Sequence, residues 1–220
     1  MWVKICGIRD EATARMVAAA APDAVGLNFH PPSRRFVERE TAARIVRALP
    51  DSIAAVGVFV NASAADILAT SAAAGIATAQ LHGDEPPALL AELRQRNPSL
   101  RLIRAQRFGA EGIEPLVSYL EECRRLDAVP DACLIDAEVP GAYGGTGRTV
   151  AWDALAEACR SVELPPLILA GGLTPENVSR GIAAVAPWGV DVAGGVESSP
   201  GDKDAALVAR FIAAARATPA

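Results

Sequence analysis

Cys6 is the residue with the clearest potential for acid–base chemistry, because it ends a short apolar run and is followed at once by Gly7. Residues two apart share one face of a strand, so Lys4 is expected on the same side as this thiol. A neighbouring ammonium lowers the pKa of a thiol and burial raises it, which leaves the net direction open. A cysteine in a strand is more often a small buried hydrophobe, and both interpretations stay open.

Asp136 is the matching candidate for an acid, because it follows the apolar run DACLI and precedes the glycine-rich segment PGAYGGTG. A carboxyl group in this place either caps a turn or acts as a general acid beneath a mobile lid. Gln80 and His82 share one face of another short run. His82 is either a hydrogen-bonded core residue or a contact to a ligand.

Paired glycines follow two later apolar runs, and they indicate an anion site. The pairs are Gly171 with Gly172 and Gly194 with Gly195. Without side chains, successive backbone N–H groups can close around an anion such as a phosphate. Three further residues at expected strand ends join the candidates for substrate binding: Gly145, Gly147 and Asp191.

Arg34 and Arg35 are adjacent in the segment after the second apolar run. They are either a solvated pair in a loop or a site for a carboxylate, which a guanidinium binds with two parallel hydrogen bonds. The sequence pattern alone does not choose between the two arginines.

The elements that must position these residues alternate regularly. Short apolar runs predict eight strands, near residues 2–6, 24–29, 53–60, 77–81, 101–105, 131–135, 166–170 and 188–193. Amphipathic stretches predict helices near 10–20, 38–48, 63–74, 86–96, 112–125, 151–161, 174–184 and 203–216. Continuous apolar strands are typical of a parallel sheet covered on both faces.

Eight such βα units predict an α/β fold of the (β/α)8 TIM-barrel type, in which chemistry lies at the carboxyl ends of the strands. A doubly wound open sheet is the rival architecture, and its usual strand number leaves units unused. We expect residues 1–220 to form one domain. The fifth unit, RLIRAQRF, is unusually polar for a buried strand.

Composition excludes several classes of protein. The chain has 220 residues, of which 51% are hydrophobic, and its net charge is −5, which disfavours disorder and nucleic-acid binding. No apolar run is long enough to span a membrane. The four cysteines lack metal-site spacing, so we expect neither a metal nor a redox pair, and a reducing cytoplasm. Only two of the 21 basic residues are lysines, Lys4 and Lys203.

Taken together, these segments resemble the phosphoribosylanthranilate isomerases of tryptophan biosynthesis. The resemblance rests on four motifs in order, KICG at 4–7, QLHG at 80–83, GGTG at 144–147 and AGGL at 170–173. Further matching stretches extend it from residue 4 to residue 204. One departure concerns the arginines, since Arg34 stands where the family usually has proline.

The resemblance implies an Amadori rearrangement, in which an N-phosphoribosyl anthranilate opens to a Schiff base and becomes a 1-deoxyribulose 5-phosphate derivative. It assigns Cys6 as the base and Asp136 as the acid. The glycine pairs would then bind the phosphate and Arg35 the carboxylate of this small phosphorylated substrate, without any cofactor. No nucleic acid or membrane partner is expected.

Two alternatives remain at this point. The isomerase of histidine biosynthesis performs the same rearrangement, but it uses two aspartates and shows a half-barrel repeat that we do not find here. A catalytically silent phosphosugar-binding barrel would keep the glycine pairs and lose the acid or the base.

Overall fold

The computed structural model describes residues 1–136 and 152–218, in which eight barrel strands alternate with eight helices. The barrel strands are β1 (Trp2–Cys6), β2 (Ala24–Asn28), β3 (Ala54–Phe59), β4 (Thr78–Leu81), β5 (Arg101–Arg107), β6 (Ala132–Asp136), β7 (Leu167–Ala170) and β8 (Gly189–Val192). The helices are α1 (Glu11–Ala18), α2 (Arg39–Ala48), α3 (Ala64–Ala74), α4 (Pro87–Arg96), α5 (Glu114–Arg125), α6 (Trp152–Arg160), α7 (Val178–Val185) and α8 (Ala205–Ala217).

The strands close into a barrel, because each pairs in parallel with its sequence neighbours and β1 pairs with β8. The predicted (β/α)8 TIM barrel is therefore confirmed, and the open sheet is excluded. The carboxyl ends of all eight strands meet at one mouth in this fold. No helix in the described part of the chain is both long and apolar enough to cross a bilayer.

Small and branched side chains fill the inside of the barrel. They are Ala24, Val56, Ile103, Ala105, Ala132, Leu134, Ile168 and Ala170, with Trp2 packed against them. A second, larger apolar layer lies between strands and helices, where residues such as Leu169 and Ile182 have no exposed surface. Each fully buried aliphatic side chain stabilises the fold by roughly 1.5–3 kcal/mol.

The fifth strand forms despite its polar sequence, and its alternation explains why. Ile103 and Ala105 face the barrel interior, which places Arg104 on the outer face. There Arg104 is buried, and its charge is neutralised by Glu85 at 3.0 Å. Arg101 and Arg107 lie at the two ends of the strand, where both are exposed.

Local sequence patterns predict a cap for three helices: Asn61 or Ser63 for α3, Asp84 or Glu85 for α4, and Thr174 for α7. Ser63 caps α3 as expected, because its hydroxyl accepts a hydrogen bond from the backbone N–H of Asp66. The Thr174 hydroxyl accepts a hydrogen bond from the Glu176 N–H at 3.2 Å, but in a turn that precedes the helix, because α7 itself begins at Val178 after Asn177. The expected cap for α4 at Asp84 and Glu85 is wrong. Pro86 is the residue before that helix, with no side-chain cap.

A short hairpin separates β8 from α8. After a 3₁₀ turn at Gly194–Val196, strands β9 (Glu197–Ser199) and β10 (Asp202–Lys203) pair antiparallel. Helix α8 then begins at Ala205, capped by the Asp204 carboxylate. The hairpin was not predicted, and it places Lys203 in a strand rather than in the final helix.

Candidate active site

Cys6 ends β1 with its side chain nearly buried at the barrel mouth. Gly26 of β2 is its register partner. A Cβ added at Gly26 would lie 2.6 Å from Cys6 Sγ and 3.1 Å from Lys4 Cε. The Cys6 thiol and the Lys4 side chain thus lie on the same side of β1, next to Gly26, as expected for residues two apart in a strand. Any larger residue at position 26 would displace both side chains.

Lys4 lies deeper in the barrel, without exposed surface. Its ammonium donates a hydrogen bond to Asp191 Oδ1 at 3.0 Å, and the two residues are register partners on β1 and β8. A buried charge is tolerated only when it is paired, and here each group compensates the charge of the other. Asp191, a candidate for substrate binding, therefore presents its carboxylate from a fixed position below Cys6.

The surroundings of Cys6 decide whether the pKa of its thiol is raised or lowered, which the sequence left open. Burial raises the pKa of the Cys6 thiol, and although the Lys4 ammonium lowers it, the net pKa lies above the ordinary value. Burial alone would lower the pKa of Lys4, but Asp191 outweighs this effect and raises it. At neutral pH the free protein therefore holds a neutral thiol beside a charged ammonium.

Across the barrel, three polar side chains form a chain from β4 to β6. The Gln80 side-chain amide donates to His82 Nδ1 at 2.7 Å, which leaves the ring proton of neutral histidine on Nε2. His82 Nε2 faces Asp136 Oδ2 at 3.8 Å. Asp136 is about a third exposed at 36%, so it is open to the mouth, whereas Gln80 is fully buried.

Of the two candidate arginines, Arg35 points toward the strand ends and Arg34 is exposed. Arg35 passes so close to Gly7 that a Cβ there would lie 2.4 Å from its Cδ, and Gly7 also has a φ of +87°. Only glycine adopts that backbone conformation without strain and leaves this space.

Glu197 of the β9–β10 hairpin binds Arg35. Arg35 Nε and Nη2 donate to its two carboxylate oxygens, both at 2.7 Å. Lys203 donates to the same carboxylate at 2.7 Å and to the carbonyl oxygen of Ala193 at 2.9 Å. Burial alone would raise the pKa of Glu197, but these two cations lower it to about 2. The Nε and Nη2 edge of the Arg35 guanidinium is thus occupied by Glu197.

The two glycine-rich loops after β7 and β8 lie against each other. A Cβ at Gly195 would overlap the carbonyl oxygen of Leu173 at 1.8 Å, so the loops touch through backbone alone. Gly171 and Gly172 both have positive φ, at 86° and 62°. A Cβ at Gly194 would lie 3.4 Å from Arg35 Nη2, which puts the guanidinium beside this corner of the mouth.

Two of the predicted site residues, Gly145 and Gly147, lie outside the described residues. Glu197 and Lys203 also lie at this site, although no local pattern placed them there, and Glu85, expected to cap α4, instead pairs with Arg104. One signal could have indicated Lys203, because it is one of only two lysines in an arginine-rich chain. Glu197 gives no local signal, since its partner Arg35 is 162 residues away in the sequence.

Comparison with known sequences and structures identifies the family of this chain. The profile of the N-(5'phosphoribosyl)anthranilate (PRA) isomerase family matches residues 3–214. The N-(5'-phosphoribosyl)anthranilate isomerase of Geobacter metallireducens is 44% identical over 215 residues, which are 98% of each chain. That of Acidithiobacillus ferrooxidans is 41% identical over 98% of each chain.

Solved structures agree with this result. The phosphoribosyl anthranilate isomerase of Thermotoga maritima superposes with a TM-score of 0.85 at 36% identity, covering 98% of both chains. A second isomerase structure, in complex with reduced 1-(o-carboxyphenylamino)-1-deoxyribulose 5-phosphate, has a TM-score of 0.82 at 33% identity over 98% of both chains. The chain described here belongs to the N-(5'-phosphoribosyl)anthranilate isomerase family.

Proposed function

We propose that the barrel mouth isomerises N-(5'-phosphoribosyl)anthranilate to 1-(2-carboxyphenylamino)-1-deoxyribulose 5-phosphate, with Asp136 as the general acid and Cys6 as the general base. The observation that carries this proposal is the position of the two groups. They end β6 and β1, which β7 and β8 separate around the barrel, and both lie at the carboxyl ends of their strands. An acid and a base on opposite sides of a sugar suit a reaction at two different sugar atoms.

In the first step, protonated Asp136 gives its proton to the ribose ring oxygen, and the ring opens to a Schiff base. His82 Nε2 lies 3.8 Å from Asp136 Oδ2, beyond a direct hydrogen bond, and neighbours the carboxyl group at the mouth. Gln80 supports this arrangement, because its hydrogen bond to Nδ1 fixes which nitrogen carries the proton.

In the second step, the Cys6 thiolate removes the proton from C2' of the Schiff base, and the resulting enolamine tautomerises to the ketose. The thiol is neutral in the free protein, since its pKa is raised. The positive charge of the protonated Schiff base favours the thiolate beside it, as does the Lys4 ammonium. The proton that the Cys6 thiol loses passes to solvent at the mouth, the thiol is restored when the thiolate takes the C2' proton, and Asp136 regains its proton from solvent after product release.

The two anionic ends of the substrate have separate recognition groups. The touching loops that carry Gly171, Gly172, Gly194 and Gly195 offer backbone N–H groups for the phosphate. Arg35, held by Glu197 at 2.7 Å, is the group for the anthranilate carboxylate. The related structure with a bound product analogue supports this view, because that ligand carries both a phosphate and a carboxylate.

Replacement of the acid and the base tests these roles. Asp136→Asn keeps the shape of the side chain but cannot donate a carboxylic proton, and a serine hydroxyl at Cys6→Ser is a far weaker acid than a thiol. Each change should lower kcat by roughly 10²–10⁴-fold with folding intact. Cys159→Ser is the matched control for a partly buried cysteine outside the mouth, and it should keep kcat. Near wild-type turnover in Asp136→Asn or Cys6→Ser would overturn the assignment.

A further inference from the structure

Glu85 and Arg104 form a buried ion pair that the reaction itself does not use. Their charged atoms are 3.0 Å apart, and the side chains are only 1% and 7% exposed. Arg104 lies on the outer face of β5, with its guanidinium 4.7 Å from the ring centre of Tyr119 on α5. Burying two charges costs so much desolvation that such a pair contributes little net stability compared with apolar residues.

The pair binds both polar backbone groups of Gly83, the residue after His82. Glu85 Oε2 accepts from the Gly83 N–H at 2.9 Å, and Arg104 Nη1 donates to the Gly83 carbonyl at 2.8 Å. The other carboxylate oxygen of Glu85 accepts from the backbone N–H of Asn61 at 2.7 Å. One ion pair thus joins the loops after β3 and β4.

The space around Gly83 is equally restricted. A Cβ at this position would lie 2.4 Å from Asn61 Oδ1 and 2.8 Å from Asn61 N. Asn61 in turn accepts a hydrogen bond from the Asp84 N–H at 2.7 Å. The backbone on the carboxyl side of His82 is therefore held by hydrogen bonds and by packing, and it has little room to move.

We propose that the Glu85–Arg104 pair is a positioning device that aims the His82 ring at Asp136. The bond to the Gly83 N–H fixes the peptide plane after His82, the His82 N–H donates to the Phe59 carbonyl at 2.8 Å on its other side, and the backbone that carries the Cα–Cβ bond of His82 is thereby restrained. The ring then reaches Gln80 on one side at 2.7 Å and Asp136 on the other at 3.8 Å. This inference rests on the proposed function, in which Asp136 is the acid. A displacement of about 1 Å at such a group can cost up to roughly 100-fold in rate.

Arg104→Met tests the proposal, because it keeps the volume of the side chain and removes both the charge and the hydrogen bond to Gly83. We expect kcat to fall at least ~10-fold with KM changed less than ~3-fold, since the substrate's anionic ends bind elsewhere. Arg104→Lys restores the cation and should recover part of kcat. The matched control is Arg94→Met, which breaks the Arg94–Asp131 pair at the opposite end of the barrel and should keep kcat.

A second readout is independent of activity. The chain has two histidines, His30 and His82, so specific labelling gives two ring signals in an NMR spectrum. Arg104→Met should shift or broaden the His82 signal and leave the His30 signal unchanged, whereas Arg94→Met should change neither. If Arg104→Met does not fold, the charge-neutral double variant Arg104→Met with Glu85→Gln takes its place, with the same expectations.

The outcomes separate this inference from the proposed function. An unchanged His82 signal in the folded variant would overturn the positioning role. A kcat within twofold of wild type would overturn it too, provided that Asp136→Asn has lost activity. A fully active Asp136→Asn variant together with a shifted His82 signal in Arg104→Met would instead overturn the acid assignment, and the positioning of His82 would stand.

Discussion

Glu197 makes the stability of this barrel depend on acid pH in a way that one substitution can isolate. Its carboxylate is 4% exposed and receives hydrogen bonds from Arg35 and Lys203. These partners favour the charged form in the folded state and are lost on unfolding. Glu197→Gln keeps the size of the side chain and one acceptor oxygen, but it is neutral at every pH.

The size of the effect follows from linkage between protonation and folding. The pKa of Glu197 falls from 4.5 to about 2 in the folded protein, which corresponds to ~3 kcal/mol of stabilisation. The folded-state pKa is depressed, so this stabilisation is fully present at neutral pH and is lost as the pH falls through 4.5 toward 2. By about pH 3 roughly 2 kcal/mol of it is gone.

Urea unfolding followed by circular dichroism measures this difference at about pH 7 and about pH 3. The gap in unfolding free energy between wild type and Glu197→Gln should narrow by roughly 2 kcal/mol between these conditions. Glu157→Gln is the control, because it removes a carboxylate from an exposed pair with Arg160. Its gap from wild type should stay near zero at both values, since exposed pairs contribute little. A Glu197→Gln gap that is the same at both pH values would refute the reasoning.

Three further predictions concern the barrel mouth. Gly26→Ala should lower kcat at least ~10-fold and destabilise the fold by about 1–3 kcal/mol, because its Cβ would lie 2.6 Å from Cys6 Sγ; steady-state kinetics and thermal unfolding check this. Lys4→Met leaves Asp191 buried without a partner, so urea unfolding should show a loss of about 3–5 kcal/mol, partly restored by adding Asp191→Asn. The pH profile of kcat/KM should rise on the alkaline side through a pKa above the ordinary thiol value, and Cys6→Ala should lack this limb.

The fold could be predicted from the sequence because the same pattern of an apolar strand followed by an amphipathic helix is repeated eight times. Strands buried on both faces are continuous apolar runs, and each is followed by an amphipathic helix, so an error in one unit leaves the pattern intact. Even the polar fifth strand fits once Arg104 is seen to have a buried partner. The start of α7 was missed because a threonine before a proline satisfies the local rule for a cap. In the fold, Asn177 instead accepts from the Thr174 N–H at 2.8 Å and donates to Gly172 O at 2.9 Å.

The candidate site could likewise be predicted only in part. Residues at strand ends could be found, because the barrel geometry says where such ends point. The supporting contacts could not, since they join distant segments: Arg35 with Glu197, and Glu85 with Arg104. Local patterns made Glu85 a cap, because an acidic residue before a proline is common at helix starts. Only the tertiary structure gives its carboxylate a guanidinium partner.

The two lysines of this chain occupy positions that an arginine would fit poorly. Elsewhere the chain uses arginine for positive charge, yet Lys4 and Lys203 are both buried and both bind a carboxylate. The space inside the barrel is narrow, since Lys4 Cε lies only 3.1 Å from where a Cβ at Gly26 would be. A compact ammonium on an unbranched stem fits there, whereas a planar guanidinium needs room for its fork. Arginine is used where two parallel hydrogen bonds are needed, as at Arg35 with Glu197. The rare lysines of this sequence therefore mark places where a cation must fit into little space, and Lys4→Arg should destabilise the barrel although it preserves the charge.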